Sequence, residues 1–171
     1  MTPALKYISA YPASVQKQVE TLLQENKLGE FLLKRYQTTH SISNDKALRD
    51  YVMELKNQYL KSSAPISKVV YDGKLHVVNN ALGTHSYVSR IQGSKLKSKN
   101  EIRISSLFKN TPDAFLKMIT VHELAHLKEK EHNKSFYQLC QYMLEDYHQI
   151  EFEVRLYLIY LEQHGNLWNN K

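Results

Sequence analysis

The chain has 171 residues, one cysteine and a formal net charge of +6, and a chain of this length buries a core without help from disulfides. Cys140, standing alone, excludes an internal disulfide and every multi-cysteine zinc module, so a metal site here has to be built from histidines and carboxylates. The start Met1-Thr2-Pro3-Ala4-Leu5-Lys6 has no basic segment leading into an apolar run, and no stretch approaches the ~20 apolar residues of a membrane span, so the expectation is cytoplasmic residence with no membrane partner.

Val15, Val19, Leu22 and Leu23 recur at helical spacing and predict a first helix over about 12–28, with Gly29 as its stop. Ser43, Asn44 and Asp45 offer caps for a second helix carrying Leu48, Tyr51, Val52, Leu55 and Tyr59 and ending near Lys61. Past Ser62-Ser63-Ala64-Pro65 the β-branched and aromatic residues cluster. Asp72-Gly73 between Lys68-Val69-Val70-Tyr71 and Leu75-His76-Val77-Val78 predicts a hairpin. A strand over 86–91, a loop over 93–100 and a half-buried strand over 101–105 complete a small antiparallel sheet.

Thr111-Pro112 starts a helix expected over 112–129, with the threonine hydroxyl as cap. Asn133 caps the next, whose apolar face is Phe136, Leu139, Cys140, Met143, Leu144 and Tyr147, and a last helix covers about 149–163. Helices over 1–63, a sheet over 66–105 and helices over 112–163 make one α+β domain spanning 1–171. The charge is uneven. Nine Lys and Arg fall between Lys61 and Lys109 against Asp72 and Glu101, so segment 61–109 is either a solvated lysine-rich hairpin or a surface that attracts an anionic partner.

The chemistry lies in His122-Glu123-Leu124-Ala125-His126. Within a helix two histidines four residues apart lie on one face and can grip one ion, for which zinc is the natural choice. Glu123 beside them can act as general base on a zinc-bound water. Catalytic zinc takes a third protein ligand. His132 is favoured, because the chain can turn between the charged run Lys128-Glu129-Lys130-Glu131 and the Asn133 cap; Glu145, His148 and Glu151 compete from the following helices. His40, His76 and His164 have no partner at ligand spacing. His85 is a candidate substrate contact, Tyr137 and Tyr147 are candidate oxyanion donors better read as core, and Cys140 reads as inert.

The run His122-Glu123-Leu124-Ala125-His126-Leu127-Lys128, with His132-Asn133-Lys134-Ser135-Phe136-Tyr137, resembles the YgjP-like metal-dependent hydrolases of the zincin group. The likeness extends through Asn44-Asp45-Lys46-Ala47-Leu48 and Glu101-Ile102-Arg103-Ile104-Ser105 to Glu151-Phe152-Glu153. It implies a minimal zincin-like fold with His122, His126 and His132 as zinc ligands and Glu123 catalytic. Where relatives carry Trp-Gly-Ser ahead of the edge strand, this chain has Leu82-Gly83-Thr84. Family members are labelled metallopeptidases and, in some cases, nucleotide pyrophosphatases.

Three functions follow. The first is a zinc metallopeptidase whose substrate pairs as an added strand near Glu101–Ser105. The second is a nucleotide phosphohydrolase with Lys95, Lys97, Lys99 and Arg103 on the phosphates. The third is a basic nucleic-acid-binding module with structural zinc, against which Glu123 and an open coordination position argue.

Overall fold

The computed structural model describes residues 3–75, 83–92 and 95–168, with side-chain surroundings for 5–75 and 100–168. A 3-10 turn at Pro3–Ile8 leads into helices α1 (Ala13–Gln24), α2 (Leu28–Arg35) and α3 (Asp45–Tyr59). Strands β1 (Ile66–Asp72), β2 (Gly83–Gln92) and β3 (Lys95–Ser105) follow, and a second 3-10 turn at Ser106–Asn110 precedes α4 (Asp113–Ala125), α5 (Lys134–Met143) and α6 (Tyr147–His164). The architecture is α+β. No helix among the described residues is long and apolar enough to cross a membrane.

Local chemistry explains most element boundaries. Asn44 Oδ1 accepts the Ala47 amide at 2.8 Å and Asn133 Oδ1 accepts the Phe136 amide at 2.9 Å, so α3 and α5 begin on side-chain caps. Thr111 does not cap α4: its hydroxyl donates to the Phe108 carbonyl inside the preceding turn, and Pro112 stands at the cap position. Gly29 lies within α2 and does not end a helix. A Cβ there would stand 2.7 Å from Tyr160 Cε2, so glycine permits the close approach of α2 to α6.

The sheet is mixed, in the order β1-β3-β2. β2 and β3 form an antiparallel pair from Gly83↔Ile104 to Gln92↔Lys95, whereas β1 runs parallel to β3 with Val69 opposite Ile102 and Tyr71 opposite Ile104. The expected all-antiparallel sheet is corrected to that extent, for a physical reason: a parallel pair is joined by a crossover, here containing β2, and has no local turn signature. The turn after β1 forms, with the Lys74 amide on Asp72 Oδ1 at 2.9 Å, while the strand expected at 75–78 lies, after Leu75, outside the described residues. The loop expected over 93–100 is mostly strand, since β3 starts at Lys95.

Ile102 and Ile104 of β3 are fully buried, and α4 packs against β2, β3, α5 and α6. Nine residues of α4 are buried, from Phe115 through Ala125, so this helix is apolar nearly all round, as a helix enclosed by others must be. Its enclosure positions the site.

The N-terminal helices are tied to α6 through one buried charge. Glu153, wholly buried, is paired with Arg35, accepts a hydrogen bond from the Tyr36 hydroxyl and a second from Gln149 Nε2 at 3.0 Å. Removing one partner of a buried carboxylate costs far more than removing an exposed pair. Arg35→Met is therefore expected to lower stability by about 2 kcal/mol, roughly 6 °C in Tm. Lys46→Met, which breaks the exposed Lys46–Asp50 pair at 3.1 Å, changes stability by less than about 0.5 kcal/mol. Urea melts of the two variants read the contrast, and equal effects would contradict it.

Candidate metal centre

Helix α4 does not continue to residue 129. It ends at Ala125, with His126 in the cap position, and the amides of Leu127 and Lys128 bond the carbonyls of Leu124 and Ala125 at 3.0 and 3.1 Å. This tightened last turn carries the chain away from the helix axis, and the Asn133 cap of α5 turns it back. The five residues between His126 and His132 thereby close on themselves. No glycine or proline occurs in Leu127–Glu131, so nothing in the local sequence announces the end of the helix.

His122, His126 and His132 each present a ring nitrogen to a common point, all within 4.8 Å of one another. His126 Nε2 and His132 Nε2 face each other at 3.1 Å. His126 Nδ1 meets the Glu129 carbonyl oxygen at 2.9 Å, and a carbonyl can only accept, so Nδ1 carries the hydrogen and Nε2 offers its lone pair. His122 Nδ1 lies 2.7 Å from the Tyr147 hydroxyl. In the tautomer in which Nδ1–H donates to that phenol oxygen, Nε2 of the His122 ring likewise offers its lone pair. Phe136 packs against all three rings, with centroids 5.0, 4.6 and 4.9 Å away.

Electrostatics support the same arrangement. Burial, then the neighbouring imidazoles of His126 and His132, then Arg155, push His122 down to about 3, so it stays neutral at any physiological pH. Burial pushes Glu123 up to about 8, close to the pH at which it would exchange a proton. Three gathered imidazoles, two of them with the outer nitrogen hydrogen-bonded, fit a borderline-soft divalent ion, and a set of three protein donors would leave a position for water.

The competing third ligands lie elsewhere: His148 rests against the rings of Tyr137 and Tyr147, Glu151 pairs with Arg155 at 3.5 Å, and Glu145 is exposed. Arg103 is held by Asp72 and Glu101, each at 3.3 Å. His85 takes the β2 position opposite Ile102, and Lys95, Lys97 and Lys99 pair with Gln92, Arg90 and Val88; their side chains lie outside the described residues. His40 is structural, with Nδ1 accepting from the Ile42 amide at 2.9 Å and Nε2 facing the Phe108 carbonyl at 2.7 Å. Cys140 is buried and its thiol is pushed up to about 12 by that burial, which leaves it inert. The Glu129 carbonyl is encoded by no side-chain pattern, whereas Tyr147, better read from the sequence as core, is fully buried with its hydroxyl against His122 Nδ1.

Tyr147→Phe deletes the oxygen that orients His122. Zinc affinity, measured by competition with a chelating dye, is expected to fall by about tenfold or more, with metal-free stability changing by no more than about 1.5 kcal/mol. An unchanged affinity would remove Tyr147 from the metal's support.

Residues 11–155 match the family model described as YgjP-like, metallopeptidase domain. The chain is 57% identical over 157 residues to the UTP pyrophosphatase of Escherichia coli (strain K12), an alignment spanning 92% of this chain and 94% of that protein. No solved structure matches significantly. With the family model covering most of its length and three histidines gathered as a metal would need them, the chain belongs to the YgjP-like family of metal-dependent hydrolases.

Proposed function

We propose that this protein is a zinc-dependent nucleotide pyrophosphatase that cleaves a nucleoside triphosphate to the monophosphate and pyrophosphate. The observation that carries the reading is the gathering of three imidazole donors beside Glu123 in a chain 57% identical to a UTP pyrophosphatase. Zinc held by His122, His126 and His132 would supply Lewis acidity, lowering the pKa of water and drawing charge from a phosphoryl oxygen. Glu123 accepts the proton as the water oxygen bonds to the α-phosphorus. The bridging α,β P–O bond breaks, and the proton passes from Glu123 to the departing pyrophosphate. The basic segment 61–109 adds long-range attraction for a polyanion, and the exposed Lys128, Lys130 and Lys134 flank His132 in sequence.

The family model's own description favours a peptidase. The specific peptide mode expected from the sequence does not fit, because Glu101–Ser105 lies in the central strand, hydrogen-bonded by β1 on one side and β2 on the other. A peptide cannot add there.

Zinc-loaded protein incubated with UTP is expected to yield UMP and pyrophosphate in equal amounts. Glu123→Gln should lower kcat by about 100-fold or more while retaining metal. Turnover of unfolded polypeptides without turnover of any nucleotide would overturn the assignment in favour of the peptidase.

A further inference from the structure

A cleft of about 320 Å3 lies between the N-terminal 3-10 turn and α6, lined among others by Tyr7, Ser9, Tyr11, Tyr137, Glu151 and Arg155. Its volume is within the range of small-molecule sites. It adjoins the metal centre through Tyr137, whose ring centroid is 6.4 Å from that of His132 and 6.3 Å from that of Tyr147. A larger cleft of about 620 Å3, between α2 and the end of α6, shares no residue with the histidine cluster.

The charges in the smaller cleft cancel locally. Arg155 is tied to Glu151 at 3.5 Å and to the Tyr7 carbonyl at 2.9 Å, and Lys6 is paired with Glu162 at 3.0 Å. A cleft whose cations are already matched by carboxylates is wrong for a triphosphate and right for a neutral, polar, flat group. Tyr11 and Tyr137 are each partly exposed and supply aromatic faces, with Tyr11 braced against Phe152 at 5.0 Å. Glu151 supplies the acceptor that vicinal hydroxyls require, the use a carboxylate serves against ribose in dinucleotide sites. Stacking on tyrosine needs no particular base.

We infer that this cleft is the nucleoside subsite: base and ribose occupy the space between Tyr11, Tyr137 and Glu151 while the phosphates extend past Tyr137 to the histidines. The inference rests on the pyrophosphatase reading and adds to it the residues that tell a nucleotide from a bare polyphosphate. The N-terminal turn, far in sequence from the HExxH helix, becomes a specificity element.

The test compares UTP with inorganic tripolyphosphate on the zinc-loaded protein, using Tyr11→Ala to remove a stacking face and Ala10→Trp to fill the cleft. The expected result is a KM for UTP raised by about tenfold relative to that for tripolyphosphate, with kcat for UTP nearly constant. Equal changes for the two substrates, or none, would overturn the subsite. Calorimetric titration with uridine gives a readout independent of turnover: binding to the wild type that is lost in Ala10→Trp supports the subsite, and no binding to the wild type contradicts it. Failure of the wild type to hydrolyse UTP would instead sink the pyrophosphatase reading, whatever uridine does.

Discussion

Two imidazole nitrogens cannot face each other at 3.1 Å with nothing between them but lone pairs. His126 Nε2 offers a lone pair because its Nδ1–H donates to the Glu129 carbonyl, so His132 Nε2 faces it favourably either by donating an N–H to it or by sharing a cation with it. The rest of the structure is arranged to keep that pair in place. The tightened end of α4 supplies the Glu129 carbonyl, the Asn133 cap returns the chain with His132, and Phe136 on α5 fixes all three rings from one side.

Holding polar groups in a core helix is costly unless each is satisfied, and α4 is enclosed on nearly every face. His122 meets this cost by staying neutral and bonding the Tyr147 hydroxyl on α6, while Glu123 does so by favouring its protonated form in the metal-free protein. A divalent ion held by the three histidines would reverse the preference of Glu123 toward the carboxylate that the proposed general base needs. The same helix α6 carries Tyr147 for the site, Glu151 and Arg155 for the adjoining cleft and Glu153 for the link to α2. Its position therefore couples the histidine cluster to the N-terminal helices.

What could be read from the sequence follows from how local each determinant is. Helices α3 and α5 were legible because Asn44 and Asn133 cap within three residues, and the His122-Glu123-x-x-His126 spacing was legible because it is a single helical turn. That His132 could stand beside His122 and His126 was legible once a turn was allowed before Asn133. The parallel pairing of β1 with β3 was not, since it joins Val69 to Ile102 across a crossover. Helix α2 was hidden by Gly29, whose role is to admit Tyr160 from α6. Nor was the cleft visible, because the Tyr7 carbonyl meets Arg155 across nearly the whole chain. Glu153 left a trace, as an acid flanked by Phe152 and Val154 in an apolar helix, but its partners Arg35 and Tyr36 are legible only in three dimensions.

The proposed chemistry depends on three histidines forming one metal centre beside a catalytic carboxylate. Elemental analysis of protein purified without chelator or affinity histidines tests it most directly, with His132→Ala and Glu123→Gln measured alongside. One zinc per chain is expected in the wild type and in Glu123→Gln, with a severe loss of bound zinc in His132→Ala. The absence of stoichiometric metal after zinc is supplied, or full retention in His132→Ala, would contradict it.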